Sequence, residues 1–247
     1  MNIQSTLEDV ARAAGVSAAT VSRVLNGNLS VRPELKLKVE EAAALLAYVP
    51  HASARALASN KTRRVASILP TIDNSIFARF IEAIQKRVRR DSYGMMLSVT
   101  DFDEELEKKI IQEVSAAGVD GIILVGAKRS QETYDFLLSR KIQFILTNIH
   151  QQSSNFIQVG YDNFESSRSM VRYLLDIGHI HFAAIDGPIR ENDRAQDRFK
   201  GVQAALNERN IEMPSGALIE KKFTFEEGRK VKSENCCKFA SARLMTA

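Results

Sequence analysis

Apolar residues in the first fifty positions recur at helical steps in three short bursts. In the first, Leu7, Val10, Ala11 and Ala14 share one face, behind Thr6 as a cap and Asp9 as its partner in a capping-box-like pair. Gly15 stops that helix and Val16 can pack back on it. The second burst, Val21, Val24 and Leu25, follows Ser17 as a cap and ends at Asn26-Gly27. Pro33 sits in the first turn of a third helix, whose stripe is Leu35, Val39, Ala42, Ala43 and Leu46. Tyr48-Val49-Pro50 closes the unit, because the residue before proline is pushed out of helical geometry. His51 to Ser59 is an alanine-rich stretch too short to hold a helix alone.

From Arg64 the texture changes to short apolar runs separated by amphipathic segments, the pattern of parallel βαβ units. Strands are expected at Val65–Leu69, Met95–Val99, Gly121–Val125, Phe144–Thr147, Ile157–Gly160 and Phe182–Ile185. Helices are expected at Phe77–Arg90, Glu104–Ala117, Gln131–Arg140, Phe164–Asp176 and Arg194–Glu208. The fold class is α followed by α/β: a three-helix unit, then a doubly wound sheet.

The polar remainder of the second burst carries chemistry. Two short helices around a tight turn, with Ala18, Ala19, Ser22 and Arg23 left facing outward, are how a helix-turn-helix DNA reader is written. Hydroxyls and helix-terminal amides hold phosphates, a guanidinium reads a guanine edge bidentately, and alanines sit against thymine methyls. A small helical bundle with ordinary caps is the plainer alternative, but it leaves most of the string unexplained.

The run Thr6 to Gly27, TLEDVARAAGVSAATVSRVLNG, resembles the DNA-binding signature of the LacI/GalR (lactose-repressor) family of bacterial transcriptional regulators. The likeness continues through VRPELKLKVEEAAALLAYVPHASARALAS and more diffusely to about Gly228. It implies a DNA-facing set of Thr6, Ser17, Ala18, Ala19, Thr20, Ser22, Arg23 and Asn26. It also implies a hinge helix whose Leu57 wedges into the minor groove, with Ala58 beside it. The domain plan that follows is a helix-turn-helix unit over 1–50, a hinge and linker over 51–63, and a periplasmic-binding-protein-like effector and dimerisation unit over 64–229.

Charge is placed to match. Residues 1–64 hold nine basic and five acidic side chains, the whole formal net charge of +4, while the rest balances at 25 of each. A positive field confined to one end suits phosphate binding better than a general solvated surface does.

In doubly wound sheets ligands sit beyond the carboxyl ends of the strands, which singles out Asp73, Asn74, Asn148, Asp162 and the turn Asp186 to Arg190. The resemblance adds Asp162 and Arg198 as effector contacts, with Asn74, Phe77, Asn192 and Arg194 as weaker candidates. A carboxylate, a guanidinium and an aromatic ring together suit a sugar or sugar acid, although each alone is equally well read as a cap or a surface charge.

Nothing points to catalysis: the chain has no GxGxxG, no phosphate loop and no nucleophile elbow. His179 and His181 lack companions to complete a metal shell, and no cofactor is expected. The polar amino terminus, the absence of any apolar run near ~18 residues, and the adjacent Cys236-Cys237 are those of a cytoplasmic protein without membrane contact. A solute-binding protein without DNA function is the rival reading. It shares the later fold, but requires a signal peptide and has no use for the first fifty residues.

The expected partners are therefore double-stranded, pseudo-palindromic operator DNA, a small effector and, in an intact relative, a second copy of the chain. A headpiece followed by two lobes of typical size needs well over the 247 residues present. Past about Lys230 apolar periodicity is lost, so 230–247 reads as a disordered, aberrant tail of a truncated or frame-shifted regulator. A defective regulator without effector response is thus a second alternative, with pairing doubtful.

Overall fold

The computed structural model describes residues 5–25, 31–50, 56, 59–222, 224, 226–227 and 229–231. Thr6 opens helix α1 (Leu7–Ala14) with a full capping box. Its Oγ1 accepts from the Asp9 amide at 3.2 Å, and the Asp9 carboxylate accepts from the Thr6 amide at 3.0 Å. Gly15, at φ 63°, reverses the chain, its amide and that of Val16 donating back to Arg12 and Ala11 at 3.3 and 3.0 Å. α2 (Ala18–Leu25) and α3 (Pro33–Leu45) close the bundle around Val10, Val21 and Val39, all fully buried. Each such side chain stabilises the unit by about 1.5–3 kcal/mol.

The chain divides into two compact units, Met1–Thr62 and Arg63–Ala247. The expected hinge falls largely on residues 51–55, 57 and 58, which lie outside the described residues, as do Asn26 and the segment 232–247.

The second unit alternates β1 (Arg64–Leu69), α4 (Ser75–Arg90), β2 (Gly94–Val99), α5 (Glu104–Ala116), β3 (Gly121–Val125), α6 (Gln131–Ser139), β4 (Phe144–Thr147) and β5 (Gln158–Val159). All five strands are parallel, in the order β2-β1-β3-β4-β5. Alternation along β1 sends Ile68 to the face covered by α5 and α6, and Leu69 to the face covered by α4 through Phe77. Helices on both faces explain the near-continuous apolar strands. Tyr134 stacks on Phe156 at 4.6 Å, with Phe144 tilted against both, sealing the β4–β5 end.

Beyond β5 the chain builds α7 (Asn163–Asp176), β6 (Ala184–Asp186), α8 (Asp193–Asn207) and β7 (Leu218–Glu220). Here the single sheet expected from the sequence is corrected. β6 does not extend the first sheet but pairs with β7 in a separate, parallel two-stranded one. The expected strand Ile157–Gly160 shrinks to two paired residues, because its partner β4 ends at Thr147 and Asn148 turns away at φ 62°. α7 and α8 meet closely at Gly201, where a Cβ would be 2.1 Å from the Phe164 carbonyl oxygen. Glu208 ties them at the far end, bonding Arg168 and Arg172 at 2.7 Å each.

Candidate functional site

Two sites emerge, one in each unit. In the first, α2 exposes Ala19 and Arg23, four residues apart and so on one face. The Ser17 hydroxyl accepts from the Thr20 amide at 3.2 Å and shares a hydrogen bond with the Thr20 hydroxyl at 2.9 Å. Two hydroxyls with one hydrogen between them leave a second O–H free to donate to a phosphate. Ser22 is half-buried on the same helix. Ala18, expected to face outward, is instead half-buried against the bundle core, which its small side chain permits. Thr6 is occupied locally, its O–H donating to Asp9 at 2.7 Å. These bonds, reinforced by Arg12, hold the Asp9 carboxyl below the usual carboxylate range. Asn26, Leu57 and Ala58 lie outside the described residues.

In the second unit a cleft of about 380 Å³ opens at the carboxyl ends of the strands, as the topology dictates. Phe77, Asn192, Arg194 and Arg198 line it, joined by Asn148 and Asp186. Arg198 donates to Asp186 at 3.0 Å and to Asn163 at 3.3 Å, and Asn163 donates on to the Asn148 carbonyl at 3.1 Å. Asn148 is held at φ 62°, and its buried Oδ1 has no protein partner among the described residues. Asn74 caps α4 and lines a neighbouring cleft of about 580 Å³ that shares Ile185 and Asp186 with the first. Asp162 caps α7, accepting from the Glu165 amide at 2.9 Å, and lines neither cleft.

One carboxylate organises the floor. Asp193 accepts from the amides of Ala127 and Lys128, at 2.6 and 2.9 Å, and from the Arg194 guanidinium at 2.9 Å. Burial pushes the Arg194 pKa down, and Asp193 opposes that shift. Beneath it Arg129, 1% exposed, pairs with Glu107 at 2.5 Å, where burial raises the Glu107 carboxyl against the pull of that arginine. Phe102 and Tyr161 also reach the cleft and were missed in the sequence, although each follows a strand end by two or three residues, the very rule that picked out Asn148. Among the described residues no His, Cys, Asp or Glu group could hold a metal, and no helix is long and apolar enough to cross a membrane.

A helix-turn-helix bundle joined to a doubly wound unit with a polar cleft at its strand ends defines a ligand-responsive DNA-binding regulator. Residues 6–51 match the family described as "Bacterial regulatory proteins, lacI family". Catabolite control protein A of Priestia megaterium is 32% identical over 228 residues, covering 92% of this chain and 68% of that protein. A LacI-family transcriptional regulator from Silicibacter pomeroyi superposes with a TM-score of 0.81 at 26% identity, over 96% of this chain and 71% of the other. The lac repressor dimer, solved bound to operator and the anti-inducer ONPF, shares the fold with a TM-score of 0.80 at 23% identity, over 95% of this chain and 71% of the other. The chain belongs to the lacI family of bacterial regulatory proteins and is a DNA-binding transcriptional regulator, not an enzyme.

Proposed function

We propose that this regulator acts in the cytoplasm as a repressor. In this reading α2 enters the major groove of a pseudo-palindromic operator read by two copies of the chain. Ser17, Thr20 and Ser22 hold phosphates, Ala19 contacts a thymine methyl, and Arg23 reads a guanine. Thr6 and Ala18 flank that face, Asn26 is assigned a further DNA contact, and Leu57 and Ala58 the minor-groove wedge. The cleft of the second unit takes a sugar or sugar acid. Arg198 donates to ring or carboxylate oxygens, Asp186 accepts from a hydroxyl, and Phe77 covers an apolar face beside Asn148. Asn192 and Arg194 close the floor, and Asn74 and Asp162 contribute only if the lobes move.

The observation that carries the effector reading is the partly exposed Arg198–Asp186 pair, 3.0 Å apart in the cleft wall at the carboxyl ends of the strands. The test is a thermal-shift panel of neutral hexoses, hexose phosphates and hexuronic acids. A ligand at about 100 times its Kd stabilises by about 2.7 kcal/mol, and Arg198→Leu should abolish that shift. A shift that survives Arg198→Leu, or none across the panel, refutes the assignment. Coupling to DNA, measured by anisotropy on a selected duplex with and without the ligand, is expected at about 1–3 kcal/mol.

A further inference from the structure

The second unit carries equal numbers of acidic and basic residues from position 65 onward, yet the structure sorts them by edge. Each crossover helix runs antiparallel to its strands, so helix carboxyl ends and strand beginnings share one edge, opposite the effector cleft. There Arg63 and Arg64 lead into β1, and Arg87, Arg89 and Arg90 end α4 just before β2. Backbone bonds hold these segments together: the Gly94 amide donates to the Arg63 carbonyl at 2.8 Å, and the Ser92 amide to that of Arg89 at 3.0 Å. All five arginines are exposed. Asp91, which pairs with Arg87, and Asp120, which accepts from the Arg63 amide at 3.0 Å, are carboxylates in the same connections. Arg140 and Lys141, ahead of β4, extend the patch, and Glu113 near the end of α5 is its third carboxylate.

Compensation of helix dipoles is the plainer account of cations at helix carboxyl ends. It falls short in size. Three helix ends present about −0.5 each, less than half the net positive charge of the side chains named. Neighbouring strands are about 4.8 Å apart, well inside a Debye length of ~8–10 Å, so the cations act as one field. Arg64, Arg89, Arg90 and Lys141 enter no ion pair among the described residues. This edge is also where the chain arrives from the DNA-reading unit, since Thr62 is bonded to Arg63.

We propose that the strand-start edge of the second unit, centred on Arg64, Arg89 and Arg90, is a second phosphate-contacting surface for the duplex flanking the site read by α2. The inference rests on the DNA-binding reading and extends it to a unit otherwise assigned only to effector. The contacts are sequence-independent, so they add affinity, retention on DNA and salt sensitivity rather than recognition.

The test compares full-length chain with Arg89→Gln/Arg90→Gln on a mixed-sequence 40-base-pair duplex at about 50 to 200 mM salt. Each lost phosphate contact lowers the log–log salt slope by about 0.9, so the double variant should fall by about 1.8. Over that fourfold salt range wild type should weaken about 12-fold more than the variant. The matched double Lys109→Gln/Lys200→Gln, on exposed α5 and α8 positions, should leave the slope unchanged, and Arg89→Lys/Arg90→Lys should restore it. An Arg89/Arg90 slope equal to wild type, or a control that falls as far, overturns the proposal while leaving headpiece binding intact. Failure of wild type to bind any duplex overturns the DNA reading and this one with it. An unchanged slope with lost binding to phosphatidylglycerol vesicles would assign the patch to a membrane and also overturn it.

Discussion

The Arg194 guanidinium occupies the space that a side chain on Gly126 would need: a Cβ built there stands 1.8 Å from Nη1. Gly126 is also at φ 76°, a conformation L-residues avoid, so the pair is fixed from both sides. Gly126→Ala should strain the turn and push Arg194 off Asp193, releasing the Ala127 and Lys128 amides that the same carboxylate holds. The expected loss is about 3 kcal/mol, a melting temperature lower by roughly 6–12 °C in calorimetry. An unchanged melt would mean that neither the positive φ nor the Arg194 contact constrains this position.

Gly201 is constrained differently, by helix contact alone. Gly201→Ala places a methyl against the Phe164 carbonyl and should force α7 away from α8, costing about 2 kcal/mol. Amide exchange should rise in these two helices while β1 and β3 stay protected; uniform acceleration would contradict a local opening.

Arg23 is exposed on the α2 face. Arg23→Ala should cost about 1–3 kcal/mol on the preferred duplex and much less on random sequence. Equal losses on both would reduce Arg23 to a phosphate contact.

Glu208 gives the pH prediction. Hydrogen bonds from Arg172 and Arg168 hold its carboxyl below the ordinary glutamate value of 4.5. The unfolded chain therefore takes up this proton first as pH falls. The stabilisation is full above about pH 4.5 and is lost as pH drops through the lower folded-state value. Wild type should lose more melting temperature between pH 7 and pH 3 than Glu208→Gln does. Parallel profiles would show that the pairing of Glu208 with Arg168 and Arg172 contributes nothing.

What the sequence made legible was local. The Thr6–Asp9 box, the Gly15 reversal and the Pro33 start depend on residues within four positions of one another, and the structure shows all three. The crossovers up to β4 were legible because strands buried on both faces read as continuous apolar runs. β7 gave no signal, since three residues cannot establish a period. Ala18 misled because a small apolar residue fits either face. Asp193 carries no signal in the sequence, for its bonds to Ala127 and Lys128 span 66 and 65 residues and leave no trace in spacing. Phe102 and Tyr161, by contrast, were legible by the strand-end rule, three residues past β2 and two past β5.

β1 is the strand the chain enters on leaving Thr62, and it is hydrogen-bonded along both sides, to β2 over six residues and to β3 over four. Mechanically, a pull on Arg63 along the strand loads both ladders in shear, so many bonds share it. A strand held in this way resists being peeled off bond by bond, as an edge strand could be, and gives way only if both ladders slip together.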